Sequence, residues 1–330
     1  MKPALCLIWA ALALSAQPKL LVDAKLDTRS APALDREFKA LLTAQPQPAW
    51  IMYDVPAVPN SSLSCEYVRD GYSSPGVIHL EPPGHAVILF RVEANTVSRI
   101  RSLSPDCEID AGGLPVHWLT DVAPAQSVAL LLSYVPQREL DGNGAVTAAV
   151  TAIAAHAGAA ADAALDLLLA STQPEWLRRS AASLVASQRA RHGVEAVKSL
   201  IANDVGDTVR QAAINGLARN KEPEAVDLLV ATARSDRNPR IRAQAISALN
   251  RKTGQPVLDA IQYAIANDTD STVRRRAVDA LGSLPDGAGI PMLIQLVKTS
   301  KDADVRKQAM NKLEASHDAR AQSFFEEVLK

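Results

Sequence analysis

Aromatic side chains make up only 4% of this 330-residue chain, cysteine occurs three times, and the 35 basic residues nearly cancel the 36 acidic ones. Each scarcity removes a class of protein. Without a basic excess there is little to neutralise nucleic-acid phosphates, so no nucleic-acid partner is expected. No apolar run reaches the roughly 20 residues that a membrane-spanning helix needs, so stable membrane insertion is not expected either. The chain has no H-E-x-x-H, no phosphate-cradling glycine loop and no G-x-S-x-G in context. Its histidines, His79, His85, His117, His156, His192 and His317, are scattered without ligand spacing, although His85 and His117 could approach each other. Asp106, Glu108 and Asp110 before Gly112-Gly113 gather oxygens of the kind calcium uses, but no complete loop motif surrounds them. No catalytic residue, metal site or cofactor is assigned. What remains is an alanine-rich, aromatic-poor composition, which suits closely packed helices.

The first residues combine Lys2, an uncharged stretch from Ala4 to Leu14, and the small residues Ser15 and Ala16 before Gln17. That order of charge, short apolar run and small-residue cleavage site predicts a signal peptide over 1–16, hence a periplasmic or secreted protein. Cys6 would leave with the signal. The remaining pair, Cys65 and Cys107, reads as one disulfide in an oxidising compartment, two buried thiols being the other reading. A bridged loop of this length constrains the unfolded chain by about 3–4 kcal/mol.

Residues 17–140 are punctuated by proline, glycine and serine. Ala33 to Ala44 has apolar residues at helical spacing and predicts one amphipathic helix. The runs Trp50–Val55, Gly76–Leu80, His85–Val92, Thr96–Leu103, Val116–Leu119 and Val128–Val135 predict strands, with a hairpin turn over Glu93–Thr96 in which Asn95 is left-handed. We therefore expect a small, mainly antiparallel β domain with one helix, clamped by Cys65–Cys107 and ended by a linker over 141–144.

The second half is self-similar. An aliphatic residue followed by arginine recurs every 32 residues: Leu177-Arg178, Val209-Arg210, Ile241-Arg242, Val273-Arg274 and Val305-Arg306. Alanine follows three positions after each arginine, at Ala181, Ala213, Ala245, Ala277 and Ala309. A larger apolar residue follows seven after, at Val185, Leu217, Leu249, Leu281 and Leu313. That spacing is one buried helical stripe, and a period of this size signals stacked helical hairpins. Asp207, Asn238 with Pro239, Asp270 with Ser271, and Asp302 stand where they can cap the first helix of each hairpin. These residues resemble the HEAT-repeat family over 145–330. The resemblance implies an α-solenoid of six hairpins, with Arg178, Arg210, Arg242, Arg274 and Arg306 forming a ladder with helix-flanking aspartates. Two positions depart from it. Val146 stands in place of the first arginine, so the first unit reads as a cap joined to the β domain, and position 238 is Asn rather than Asp.

On the second helix of each unit, the columns Ala196/Leu228/Ala260/Met292/Phe324, Val197/Leu229/Ile261/Leu293/Phe325 and Ile201/Ala233/Ile265/Val297/Leu329 are apolar and read as core. Other columns share an exposed face, which lines the concave side in HEAT-like arrays. It carries the acidic row Glu195, Asp227 and Asp259 beside Val230, Tyr263 and Ile294, a plausible anchor-and-rim site for a protein partner. The expected function is a non-enzymatic, monomeric interaction scaffold outside the cytoplasm. The alternative is a lyase-type HEAT-repeat enzyme acting on a tetrapyrrole-bearing protein.

Overall fold

A computed structural model of the chain describes residues 20–328 except 46, 60–62, 64, 70–71, 76–83, 136–143 and 204–205. The expected signal peptide, the strand expected at Gly76–Leu80 and most of the expected linker lie outside the described residues. The chain divides into two compact units, one running to Val135 and including Gly144–Ala157, the other containing Gly158 to the C-terminus.

The first unit contains β1 (Leu20–Val22), β2 (Lys25–Ser30), α1 (Leu34–Ala44), β3 (Ala49–Pro56), β4 (Glu66–Arg69), β5 (Tyr72–Pro75), β6 (His85–Glu93), β7 (Thr96–Leu103), β8 (Glu108–Asp110), β9 (Pro115–Thr120), α2 (Pro124–Ser133) and α3 (Gly144–Ala155). Its main sheet has the order β2-β9-β3-β6-β7, with β1-β8 and β4-β5 as separate pairs. The sheet is mixed rather than mainly antiparallel, because β9 runs parallel to both β2 and β3. β3, β6 and β7 are joined antiparallel. In the β6–β7 turn both Ala94 (φ 48) and Asn95 (φ 58) are left-handed, the conformation that matches the twist of a tight hairpin.

Both faces of this sheet are covered, which is why β3 and β6 are apolar nearly throughout instead of alternating. On one face Phe90 meets Phe38 of α1 edge-on, their ring centroids 4.8 Å apart, and Tyr53 lies beside it. On the other, Met52, Leu89 and Trp118 pack around Cys65 and Cys107. Those cysteines form a disulfide with their Cα atoms 5.2 Å apart.

Two elements differ from expectation. Val128–Val135, expected as a strand, lies largely within helix α2, whose first residue is Pro124. A short apolar run has no period that separates strand from helix, and here proline at the first turn together with leucine and alanine favours helix. The helix expected to open the repeat array, α3, belongs to the sheet unit. It is apolar on nearly every side, so it needs cover all round. The chain leaving it is bound to the end of β3 and the residues just after it: Val58 N–H donates to Ala155 O (2.9 Å) and Ala157 N–H to Pro56 O (2.8 Å). Buried His156 donates from Nδ1 to Ala152 O (2.7 Å), and its Nε2 lies 2.8 Å from Ser127 Oγ of α2. Ser127 Oγ is in turn 2.9 Å from the Tyr53 hydroxyl of β3. Burial pushes the Tyr53 phenol well above its ordinary pKa, so it stays neutral.

The second unit opens with α4 (Ala159–Leu169) and continues as five hairpins: α5 (Glu175–Gln188) with α6 (Ala190–Ala202), α7 (Asp207–Leu217) with α8 (Pro223–Ser235), α9 (Pro239–Leu249) with α10 (Gln255–Asn267), α11 (Ser271–Gly282) with α12 (Ile290–Thr299), and α13 (Ala303–Glu314) with α14 (Ala319–Val328). Every residue of the three first-helix columns, from Leu177, Ala181 and Val185 to Val305, Ala309 and Leu313, is buried. The alanines allow the close approach that this stacking needs. Approach between first helices is tight at Gly216 of α7, where a Cβ would stand 2.3 Å from Ser183 O of α5. On the second helices Val197, Leu229, Ile261 and Leu293 are buried, while Ala196, Leu228, Met292, Ile201, Val297 and Phe325 are half-buried; Leu329 lies outside the described residues. Among the described residues no helix is long and apolar enough to cross a membrane.

Candidate partner-binding face

The recurring arginines are each the fourth residue of their helix and reach in two directions. Backward, each of three bonds a carbonyl six residues before it: Arg242 Nη1 to Asp236 O (2.9 Å), Arg274 Nη1 to Asp268 O (3.0 Å) and Arg306 Nη1 to Ser300 O (2.7 Å). Forward, Arg210 and Arg242 reach carboxylates 26 residues on, Asp236 (2.8 Å) and Asp268 (2.7 and 2.8 Å). Asp236 and Asp268 therefore serve two repeats each, the side chain taking one arginine and the backbone the next. Where Ser300 replaces aspartate, Arg274 turns to Asp302 at 3.4 Å. Arg178 donates to Leu169 O (3.1 Å).

Burial alone would raise the pKa of Asp268. The Arg242 guanidinium, the Asp270 N–H and the charge of Arg274 outweigh it and hold the carboxyl below the usual range. Of the five arginines expected to form a ladder, Arg210, Arg242 and Arg274 reach carboxylates, while Arg178 and Arg306 bond backbone carbonyls. Of the four residues expected as caps, Asp207, Asn238, Asp270 and Asp302, three cap their helices. Asn238 accepts from Arg240 N–H, Asp270 from Thr272 and Val273, and Asp302 from Asp304 and Val305. Asp207 is instead the first residue of α7, preceded by Gly206, and binds Arg210 (2.7 Å) and the Asn238 amide.

The second helices present the other set of expected residues. Glu195 on α6, Asp227 on α8 and Asp259 on α10 are exposed at equivalent positions of successive repeats. Tyr263 on α10 is exposed, and Arg234 of α8 lies over its ring, 5.3 Å from the centroid. Val230 on α8 and Ile294 on α12 are half-buried, so their contribution to an open surface is smaller than expected from sequence. Arg191 of α6 pairs with Glu224 of α8 at 3.1 Å, and Lys298 of α12 with Glu327 of α14 at 3.5 Å, exposed pairs that bridge neighbouring second helices. A hollow of about 380 Å³ opens between α6 and α8, lined in part by Ile201, Ala202, Leu228 and Ala231.

Residues 194–274 and 258–330 match the family model described as HEAT repeats. Residues 194–330 are HEAT repeats. No curated protein matches the chain at a significant level. Among solved structures, the complex of CpcE and CpcF of phycocyanin lyase from Nostoc sp. PCC7120 is similar at 20% identity and a TM-score of 0.35, over 46% of this chain and 98% of that one. Escherichia coli YibA is similar at 21% identity and 0.36, over 59% and 71%, and human deoxyhypusine hydroxylase with glycerol at 13% and 0.28, over 62% and 89%. Likenesses this distant bear on neither substrate nor partner.

Outside the HEAT repeats, the two histidines of the sheet unit that were candidates to meet are held apart by separate carboxylates. His85 Nδ1 is 2.9 Å from Asp54, and His117 Nδ1 is 3.0 Å from Asp27 with its Nε2 2.9 Å from Gln45. Among the described residues no group of three or more His, Cys, Asp or Glu is placed to hold a metal. Sequence reasoning missed Arg189, a buried residue that pairs with Asp162 of α4 at 2.6 Å. It also missed Leu167 of α4, which is exposed. The signal for Leu167 was present: it lies one 32-residue step before Ser199 and three before Tyr263.

Proposed function

We propose that this protein is a non-enzymatic scaffold acting outside the cytoplasm, and that it binds a protein segment along the exposed face of the second helices of its HEAT array. The observation that carries this reading is the repetition of exposed positions in register: three carboxylates on the second helices of three successive repeats beside an exposed tyrosine. A repeated surface built on a packed stripe suits a long partner segment, because every repeat offers the same contact at a constant step. The Cys65–Cys107 disulfide supports an oxidising compartment, where such bonds persist. Tyr263→Ala combined with Val230→Ser is expected to abolish recovery of the partner after mild crosslinking in the periplasm, with the melting temperature unchanged. Full recovery of the partner with the double variant would remove this face from consideration.

A further inference from the structure

Leu167 on α4 and Tyr263 on α10 occupy the same column of the 32-residue frame, with Ser199 and Ala231 between them. They are 54% and 46% exposed, and apart from Val328 they are the exposed large apolar side chains among the described residues of the helical unit. Ser199 and Ala231 are small and exposed, and the hollow between α6 and α8 adjoins Ala231. The column, here termed the trough, thus has one large apolar side chain at each end and two small exposed residues between them.

Charge is arranged along its side. Glu195, Asp227 and Asp259 each stand four residues before Ser199, Ala231 and Tyr263, one helical turn away on the same face. Arg191 is engaged with Glu224, and Lys198 and Arg234, the latter over the Tyr263 ring, set two positive charges against the three carboxylates. His192 of α6 binds Asp166 of α4 at 3.0 Å, so α4 is tied into the same surface.

Packed helices lie about 8–10 Å apart, so three steps from α4 to α10 span roughly 24–30 Å. An extended chain rises about 3.3 Å per residue and covers that span in about eight residues, an even number that leaves both ends on one face of the strand. A trough one side chain wide suits a strand better than a helix about 10 Å across. We infer that the trough binds an extended, basic protein segment carrying two large apolar side chains about eight residues apart, one seated on Leu167 and the other on Tyr263. This rests on the second-helix face being the binding surface, and it adds the length, charge and spacing of the occupant.

The test is fluorescence anisotropy of the full, disulfide-bonded chain with synthetic labelled peptides. The first peptide carries two phenylalanines about eight residues apart with lysine and threonine between them; the second has the phenylalanines about four apart; the third has glutamate for lysine. The first is expected to bind, to weaken with salt, and to lose about tenfold in affinity with either Leu167→Ser or Tyr263→Ala. The second is expected to be indifferent to Leu167→Ser, and the third to bind at least about tenfold more weakly than the first. Both substituted side chains are exposed, and unchanged melting temperatures will show that the variants fold. Failure of the wild-type chain to bind the first peptide, equal binding of the lysine and glutamate peptides, or indifference of the first peptide to Leu167→Ser overturns the inference. If Tyr263→Ala alone releases the peptide, the two-anchor occupant is wrong and the face stands. If neither variant matters and Tyr263→Ala/Val230→Ser also retains its partner, both are wrong.

Discussion

Replacing Asp268 with alanine removes the most fully satisfied rung of the arginine–aspartate ladder. The Asp268 side chain is 7% exposed and that of Arg242 14%, and the carboxylate takes two bonds from Arg242 and one from Asp270 N–H. Removing one partner of a well-buried ion pair costs about 3–5 kcal/mol, because the other charge is stranded. Arg242 keeps its bond to Asp236 O, which places the expected loss at the lower end, about 3 kcal/mol. For a unit of this size that is a fall of about 6–12 °C in melting temperature. Arg191→Ala is the control: its pair with Glu224 is 75% and 49% exposed, and such pairs contribute about 1 kcal/mol or less.

The pH dependence has a definite sign. The pKa of Asp268 is lower in the folded chain than in the unfolded one, so its contribution is complete above the unfolded value near 3.9 and disappears as pH falls through the folded value. Urea melts followed by circular dichroism should show a gap between wild type and Asp268→Ala that is constant from pH 7 to about 5 and closes in stronger acid. A cost no larger than that of Arg191→Ala, or a gap that persists unchanged in strong acid, would refute the view that this rung supports the array.

Two further outcomes are checkable by the same melts. Cys65→Ser with Cys107→Ser should cost about 3–4 kcal/mol, by release of the closed loop in the unfolded chain, and non-reducing electrophoresis should show the lost crosslink. Gly216→Ala should cost about 1–3 kcal/mol, because the added carbon meets Ser183 O and Ala186 Cβ; Gly84→Ala, with nothing within 4 Å, should be neutral.

The helical half was legible because one set of physical demands is repeated five times: an aliphatic knob, an alanine at the crossing and a larger residue a turn later, all buried as expected. The positions of Arg210, Arg242 and Arg274, which reach carboxylates, were legible for the same reason. Their principal acids were not, since Asp236 and Asp268 close the preceding second helices and the frame puts Ser300 in the same column. A bond of that span leaves no local spacing to read. In the sheet unit, β3, β6, β7 and β9 were visible through their apolar content, whereas β2 was not. It is an edge strand whose residues are nearly all exposed, so no alternation marks it. The proposed binding face was legible in its acidic row and tyrosine, and Leu167, which lies in the same 32-residue frame, shows its exposure only in the structure.

The most direct measurement is photo-crosslinking in cells from a reactive phenylalanine analogue placed at position 263, with the same residue placed at the exposed Arg276 of α11 as the comparison. The expected result is a single partner adduct from 263, shown by mass spectrometry to join a basic segment, with no such adduct from 276. Equal adducts from both positions, or adducts from 276 alone, would overturn the claim that the second-helix face is where this protein binds.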